Sequence, residues 1–372
     1  MLTRRHFLTQ AAWGVLAGIV PLRPPFAHAG IICPDFGQIR MGVIADLHTT
    51  RQGRDGLLMS AHSLRCLKKS VAALNRHQEL DLVIVAGDLL FDGEWENAQL
   101  VKEDLDRLHA PYFVVPGNHD YGPLQVKRRR SGYSYMNIAE FADFFQGHGF
   151  KDSRNRYWAH TIRPGVRLIG LDSCLPDEDT RGGRISEAQL KWLNHQLCSY
   201  PNTLHIIVLH HNVIRWSANE QRGGPATWYC IDNDLELRNL LSQHKKTATI
   251  VLSGHRHIGL HTRCMNGVCY FTLPSINSYP LSYTLFTLSR QEVAWETSKV
   301  SVCRDVHQQA KENLLKACQA GGEWLPGDTG CGQDLLDFYE HSAMQSGKYL
   351  LNCKHSHASH LRSGLFARMG IR

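Results

Sequence analysis

Five short motifs in this sequence carry side chains able to hold cations: Asp46-Leu47-His48, Gly87-Asp88, Gly117-Asn118-His119-Asp120, His210-His211 and Gly254-His255-Arg256-His257. Carboxylates and neutral imidazoles suit divalent first-row metals, and no thiolate lies among them. Asp88 is the natural bridge, because one carboxylate can hold two cations and offset their mutual repulsion. Asn118 would add a neutral carbonyl oxygen and keep the site from becoming over-anionic. Two metals ~3.5–4 Å apart can clamp the attacking and leaving oxygens of an in-line phosphoryl displacement and lower the pKa of a water between them. Taken singly, each motif has an ordinary alternative: an Asx-type turn for Gly-Asn-His-Asp, a simple turn for Gly-Asp, packed imidazoles for His210-His211. Their joint occurrence in this order is what points to a two-metal site.

Each motif ends a nearly continuous apolar run, at residues 41–45, 82–86, 112–115, 204–209 and 249–252, and a sixth run covers 168–171. Such runs read as strands buried on both faces, and ligands gather at the carboxyl ends of strands in α/β sheets. Between them lie amphipathic stretches. Over 186–197, Ser186 and Gln189 form a Ser-x-x-Gln capping pattern ahead of Leu190, Leu193 and Leu197 at helical spacing. Arg163-Pro164-Gly165 separates two strand-like runs, and Asn266-Gly267 is a strong hairpin signal. The expected fold is α/β (α+β), with two packed mixed β-sheets flanked by helices. After residue 297 the pattern changes to a helix over 305–320, a glycine-rich loop and a shorter helix over 334–343. Residues 301–372 are expected as a helical extension appended to a catalytic domain over 30–300.

The 372 residues include 22 histidines and carry a formal charge of +7. Removing Arg4, Arg5 and Arg23 leaves 7 − 3 = +4, too mild for a dedicated nucleic-acid binder. Those arginines belong to residues 1–29, which read as a targeting signal: Thr3-Arg4-Arg5-His6-Phe7-Leu8, a modest apolar stretch over 11–20, then Ala27-His28-Ala29. The apolar stretch is about half of the ~20 residues a membrane span needs, although an uncleaved anchor is the alternative. The paired arginines resemble a twin-arginine signal, which implies a folded cargo for that export machinery and a periplasmic or secreted product.

None of the eleven cysteines forms a Cys-x-x-Cys pair, and export makes disulfides plausible for some. If Asn266-Gly267 close a two-residue turn, Met265 and Val268 form its hydrogen-bonded pair. Cys264 and Cys269 then face each other at the next position with Cα atoms ~4.5 Å apart, close enough for a disulfide. Some of Cys303, Cys318, Cys331 and Cys353 are expected to staple the extension. Cys66 and Cys198 fall on apolar helical positions and read as buried thiols.

The ordered motifs resemble the calcineurin-like metallophosphoesterase superfamily over residues 46–257, and flanking strands carry the likeness to about 40–297. The segment Gly183-Arg184-Ile185-Ser186, with Gln189 and Trp192-Leu193, is similar to the class III cyclic-nucleotide phosphodiesterase branch. The resemblance implies a double β-sandwich and two divalent or trivalent metal ions (manganese, iron or zinc). One would sit on Asp46, His48, Asp88 and His257, the other on Asp88, Asn118, His210 and His255, with His211 as the fallback for His210. It implies hydrolysis of a small-molecule or lipid phosphate ester, more often a diester, by metal-bound hydroxide. His119 would contact the phosphate and protonate the leaving group, with Asp120 orienting it. Many relatives carry proline after the paired histidines, whereas Asn212-Val213 follows here. A phosphomonoesterase or nucleotidase, a lipid-linked pyrophosphate hydrolase and a silent metal-binding scaffold are the competing readings. Further candidates around the site are the basic run Lys127-Arg128-Arg129-Arg130 as an anion-attracting rim, Arg256 as a phosphate contact, Asp172 as a supporting group, Trp216 and Trp228 as stacking platforms, and His355, His357 and His360 as a metal-like tract.

Overall fold

The computed structural model describes residues 36–351, except 78, 153–154, 179, 221–226, 245–248, 323–324, 327–328 and 342–344. The expectations for residues 1–29, Cys353, His355, His357 and His360 therefore lie outside the described residues.

The apolar runs fold as strands with nearly the expected bounds. β1 (Gln38–Ile44), β2 (Leu82–Ala86) and β3 (Tyr112–Val115) are parallel neighbours in one six-stranded sheet. In the second, β5 (Val166–Gly170), β6 (Leu204–Leu209) and β7 (Thr249–Ser253) are parallel neighbours. Antiparallel strands complete both. β4 (Trp158–Arg163) pairs with β5, while β9 (Val268–Thr272) runs parallel to β7 and forms the Asn266-Gly267 hairpin with the antiparallel edge strand β8 (His261–Met265). β10 (Ser282–Ser289) joins β1 to β11 (Glu292–Lys299).

Period-two alternation sends each strand's side chains into two apolar layers. From β6 and β7, Ile206, Val208, Ile250 and Leu252 enter the core shared with Met41, Val43 and Val85 of the first sheet. Phe271 and Phe286 meet there edge to face, with centroids 5.0 Å apart. The alternate residues Ile207, Leu209 and Val251 lie in a separate cluster with Leu193 and Leu197 of α4 (Glu187–Ser199) and Leu237 and Leu241 of α5 (Asp234–Gln243). On the far side of the first sheet, α1 (Ser63–Asn75) and α2 (Trp95–Leu105) bury Leu67, Val71, Leu74, Val101 and Leu105. The order is helices, sheet, sheet, helices, as expected.

Three local outcomes differ from expectation. At α4, Ser186 accepts from the Gln189 amide, but the Gln189 side chain does not return to Ser186. It instead accepts from Asp172 N–H at 3.0 Å and donates to Asp172 C=O at 2.7 Å, tying the helix to the end of β5. Cys198 is exposed, not buried, because it follows Leu197 and lies about 100° around the helix from that apolar stripe; Cys66 is buried as expected. The C-terminal segment is built into the fold. β12 (Ser346–Leu350) extends the first sheet beyond β11, and α6 (Arg304–Gln319) and α7 (Gln333–Glu340) place Val306, Ala310, Leu314, Leu335, Leu336 and Tyr339 in the main core.

Disulfides join Cys264 to Cys269, with Cα atoms 4.1 Å apart, and Cys318 to Cys331, 5.8 Å apart. Asn266 and Gly267 both have positive φ, 53° and 81°, as a type I′ turn requires. Cys303 is exposed and free.

His205 of β6 is buried with neither ring nitrogen hydrogen-bonded. Burial, reinforced by Arg167, pushes its pKa down to about 3. In the unfolded chain the imidazole titrates near 6.5, so between pH ~6.5 and ~3 the unfolded state takes up the proton and the folded state does not. Stability must fall through that window by up to about 1.4 kcal/mol per pH unit from this group. His205→Leu is expected to raise the urea midpoint at pH 5 more than at pH 7.5. An equal shift at both pH values would contradict the assignment.

Candidate metal centre

The five motifs sit just past the carboxyl ends of β1, β2, β3, β6 and β7, so both sheets supply ligands to one place. Asp46, His48, Asp88 and His257 form one cluster, and Asp88, His210 and His255 form a second that shares Asp88. In the first, His257 Nε2 lies 3.2 Å from Asp46 Oδ1, and His48 Nε2 lies 3.1 Å from His257 Nε2 and 3.4 Å from Asp88 Oδ2. In the second, His210 Nε2 lies 3.2 Å from both Asp88 Oδ2 and His255 Nδ1.

The outer ring nitrogens define the inner ones. His210 Nδ1 is 3.0 Å from Ala86 C=O and His255 Nε2 is 3.1 Å from Trp228 C=O, so each must donate there. In the neutral rings that leaves lone pairs on His210 Nε2 and His255 Nδ1 facing each other at 3.2 Å. Two lone pairs at that distance repel unless a cation lies between them. Asp46 Oδ2 and Asn118 Oδ1 are likewise buried without a hydrogen-bond partner. The donor set therefore fits two cations, with Asn118 beside the cavity shared by Asp88, His255 and His257.

Electrostatics agree. Burial drives the His48 and His255 pKa values well below the ordinary imidazole value and keeps them neutral, as ligands must be. Burial also opposes charge on His210, but the Asp88 carboxylate outweighs it and raises the pKa to about 9. With Nδ1 donating to Ala86 C=O, that proton lies on Nε2 between Asp88 and His255, so these three groups converge on a place that calls for positive charge.

The backbone is committed to this geometry. Asp46, His48, Asp88, His255 and His257 have φ between 42° and 70°, left-handed conformations that cost on the order of 1–3 kcal/mol each for residues with a Cβ. Asp46 N–H donates to Gly87 C=O and His48 N–H to Asp88 C=O, so the two loops brace each other. The motif glycines are steric necessities. A Cβ on Gly117 would collide with the Asp88 carboxylate and amide, and one on Gly254 would lie 2.8 Å from Asp46 Oδ2.

The structure chooses His210 over His211. His211 is taken up by Ser173 Oγ at 2.8 Å and Arg181 C=O at 3.0 Å and stands outside both clusters. It corrects the partner of His119. Asp120 does not touch that ring; its carboxylate accepts from Leu90 N–H at 2.9 Å and Gly117 N–H at 2.8 Å, locking the loops after β2 and β3 together. His119 Nδ1 instead meets Phe91 C=O at 2.6 Å and Asp92 Oδ1 at 3.0 Å. Burial opposes charge on His119, but Asp88 and Asp92 outweigh it and raise its pKa. Sequence reasoning missed Asp92, which lies four residues past Asp88 in a loop without periodic pattern.

Other candidates have structural partners. Arg256 is buried, paired with Glu220 at 2.6 Å and stacked 3.9 Å over the Tyr229 ring. Asp172 is bound by Arg156 at 2.5 Å. In the basic run, Arg130 pairs with Glu94 and Arg129 donates to Pro123 C=O. Trp216 donates to Thr272 Oγ1 at 2.8 Å, outside the cavity lining, whereas Trp228 lines it. Arg181 also lines the cavity, and no ion pair engages it among the described residues.

The model of the calcineurin-like phosphoesterase family matches residues 39–259. This chain belongs to that family. A probable glycerophosphodiester phosphodiesterase of Arcobacter nitrofigilis is 32% identical over 136 residues, 36% of this chain and 43% of that protein. The 3',5'-cyclic adenosine monophosphate phosphodiesterase of Escherichia coli is 27% identical over 176 residues, 47% of this chain and 56% of its own length. The chain thus spans about half the length of these curated relatives. Among solved structures, a dimetal phosphatase from Danio rerio has a TM-score of 0.53 at 18% identity, covering 70% of this chain and 95% of that one. A purple acid phosphatase from yellow lupin has a TM-score of 0.50 at 16% identity, covering 71% and 52%. These two establish a shared fold.

Because Asp88 alone belongs to both clusters, Asp88→Asn is expected to lower bound metal to one equivalent or less by elemental analysis. His211→Asn is expected to keep the wild-type metal content, whereas His210→Ala loses metal. The reverse order for the two histidines would move the ligand to His211.

Proposed function

We propose that this chain hydrolyses phosphate esters, diesters in preference to monoesters, at a two-metal centre, outside the cytoplasm. The observation that carries the reading is the convergence of His210 Nε2 and His255 Nδ1 on Asp88, the carboxylate shared with the other cluster, where positive charge is needed between them. Asp46, His48, Asp88 and His257 would hold one metal, and Asp88, Asn118, His210 and His255 the other. Manganese, iron and zinc all suit a donor set of imidazole and oxygen. When bound, the metals supply Lewis-acid neutralisation of phosphoryl charge and an activated water.

The chain's own residues do the rest. His119 lines the same cavity, and its Nδ1 is committed to Phe91 C=O and Asp92, so Nε2 is the nitrogen left for substrate. In the imidazolium form that Asp92 favours, Nε2 can hand a proton to the departing alkoxide. The buried loops hold these groups in place before substrate arrives. Diester preference is supported by the two relatives named as phosphodiesterases. Export is supported by the Arg4-Arg5 segment and by two disulfides among the described residues.

Purified, manganese-supplied protein should turn over bis-p-nitrophenyl phosphate at least about tenfold faster in kcat/KM than the monoester, roughly 1.4 kcal/mol of discrimination. A monoester preference would favour a phosphomonoesterase, and silence on both would leave a metal-binding scaffold. His119→Ala should slow turnover of poor leaving groups by on the order of 10²–10⁴-fold with metal retained, and that of nitrophenol esters less. Asp92→Asn should cost activity in the wild-type background but little beside His119→Ala, since the two act as one unit. Additive losses would separate them. Replacing Arg4 and Arg5 by lysine should leave the protein in the cytoplasmic fraction; unchanged fractionation would remove the export reading.

A further inference from the structure

The cavity over the metal ligands has a volume of about 420 Å³, within the range of small-molecule sites and larger than a phosphate group needs. Besides the ligand residues, His119 and the aromatic pair Trp228 and Tyr229, its lining includes Leu57 and Leu58 from the loop after β1, Tyr279, Leu314 of α6 and Tyr339 of α7. Tyr279, Leu314 and Tyr339 lie outside the 39–259 segment that matches the family.

The polar groups of that wall are Arg181, whose guanidinium suits the phosphate itself, and the hydroxyls of Ser278, Tyr229, Tyr279 and Tyr339. The Tyr279 hydroxyl is held by Glu340 at 2.5 Å. Arg256 is consumed by Glu220. Ser278 supplies the one aliphatic hydroxyl of the lining. Leu57 and Leu58 remain partly exposed within the cavity lining, apolar area that folding leaves in contact with solvent. The helices behind the wall are fixed to the ligand loop. A Cβ on Gly259, two residues after His257, would strike the Tyr339 carbonyl, and His261 stacks on Phe338 with centroids 4.6 Å apart.

We propose that α6 and α7 complete a subsite for an alkyl chain, so that the preferred substrates are amphiphilic phosphoesters carrying an apolar organic group beside the reacting phosphorus. This rests on the phosphoesterase reading. Burial of each methylene strengthens binding by roughly fourfold, so a subsite that takes only three of them discriminates by roughly 60-fold.

The test uses the full metal-loaded protein and non-hydrolysable probes, methylphosphonate and octylphosphonate, by calorimetry, with bis-p-nitrophenyl phosphate turnover run in parallel. Octylphosphonate should bind at least about 30-fold more tightly. Leu58→Ser, with a thermal melt confirming that it folds, should reduce that ratio by about fivefold or more; Tyr339→Phe, which keeps the apolar ring, should preserve it. Equal binding of the two probes, or no binding of either, overturns the subsite. Equal binding with turnover intact removes the subsite and leaves the phosphoesterase. Tight octylphosphonate binding without turnover keeps the subsite and removes the hydrolytic reading.

Discussion

One carboxylate, Asp88, must stand within reach of ligands that arrive from two different sheets, and most of the molecule serves that demand. His48 comes from the first sheet and His210 from the second, yet their Nε2 atoms approach the same Asp88 oxygen, at 3.4 Å and 3.2 Å. Five of the seven ligand residues adopt left-handed backbone to do so. Strain of that kind persists only where the surroundings over-determine it. Here the surroundings are two parallel ladders, three strands in one sheet and four in the other, whose ends cannot shift without breaking two apolar cores.

The groups just outside the metal ligands are arranged to remove freedom from those within. Asp120 clamps the loops after β2 and β3, and backbone carbonyls of Ala86 and Trp228 fix which nitrogen of His210 and His255 faces inward. Asp92 and Phe91 do the same for His119. Arg256 sits between two ligands in sequence, but its pairing with Glu220 and stacking on Tyr229 make it a buried anchor for that loop. Removing one partner of such a pair leaves an uncompensated buried charge, which is far more damaging than losing a surface ion pair.

The C-terminal helices extend this logic from chemistry to recognition. By contributing Leu314 and Tyr339 to the cavity and Leu335, Leu336 and Val306 to the core, they are at once part of the fold and part of the cavity wall. The Cys318–Cys331 bridge closes the loop between them. The last strand, β12, pairs with β11 and ties the end of the described chain to the sheet that carries Asp46 and Asp88.

The sequence by itself determined the strands, the order of the motifs and the candidate ligands, with His210 and His211 both open. Continuous apolar runs have one stable disposition, buried on both faces, and a polar motif that ends such a run must emerge at a strand end. The Asn266-Gly267 hairpin and its disulfide were legible for a similar reason, since turn chemistry fixes the register locally. Only the tertiary structure decided which of two adjacent histidines joins the ligand cluster, that Asp92 and not Asp120 meets His119, and that α6 and α7 border the cavity while β12 extends the sheet. Those choices depend on side chains brought together from distant parts of the chain, Ser173 beside His211, Glu220 beside Arg256, Gly259 beneath Tyr339. No local periodicity records them, because their energies come from packing and desolvation between elements that meet only when the chain has folded.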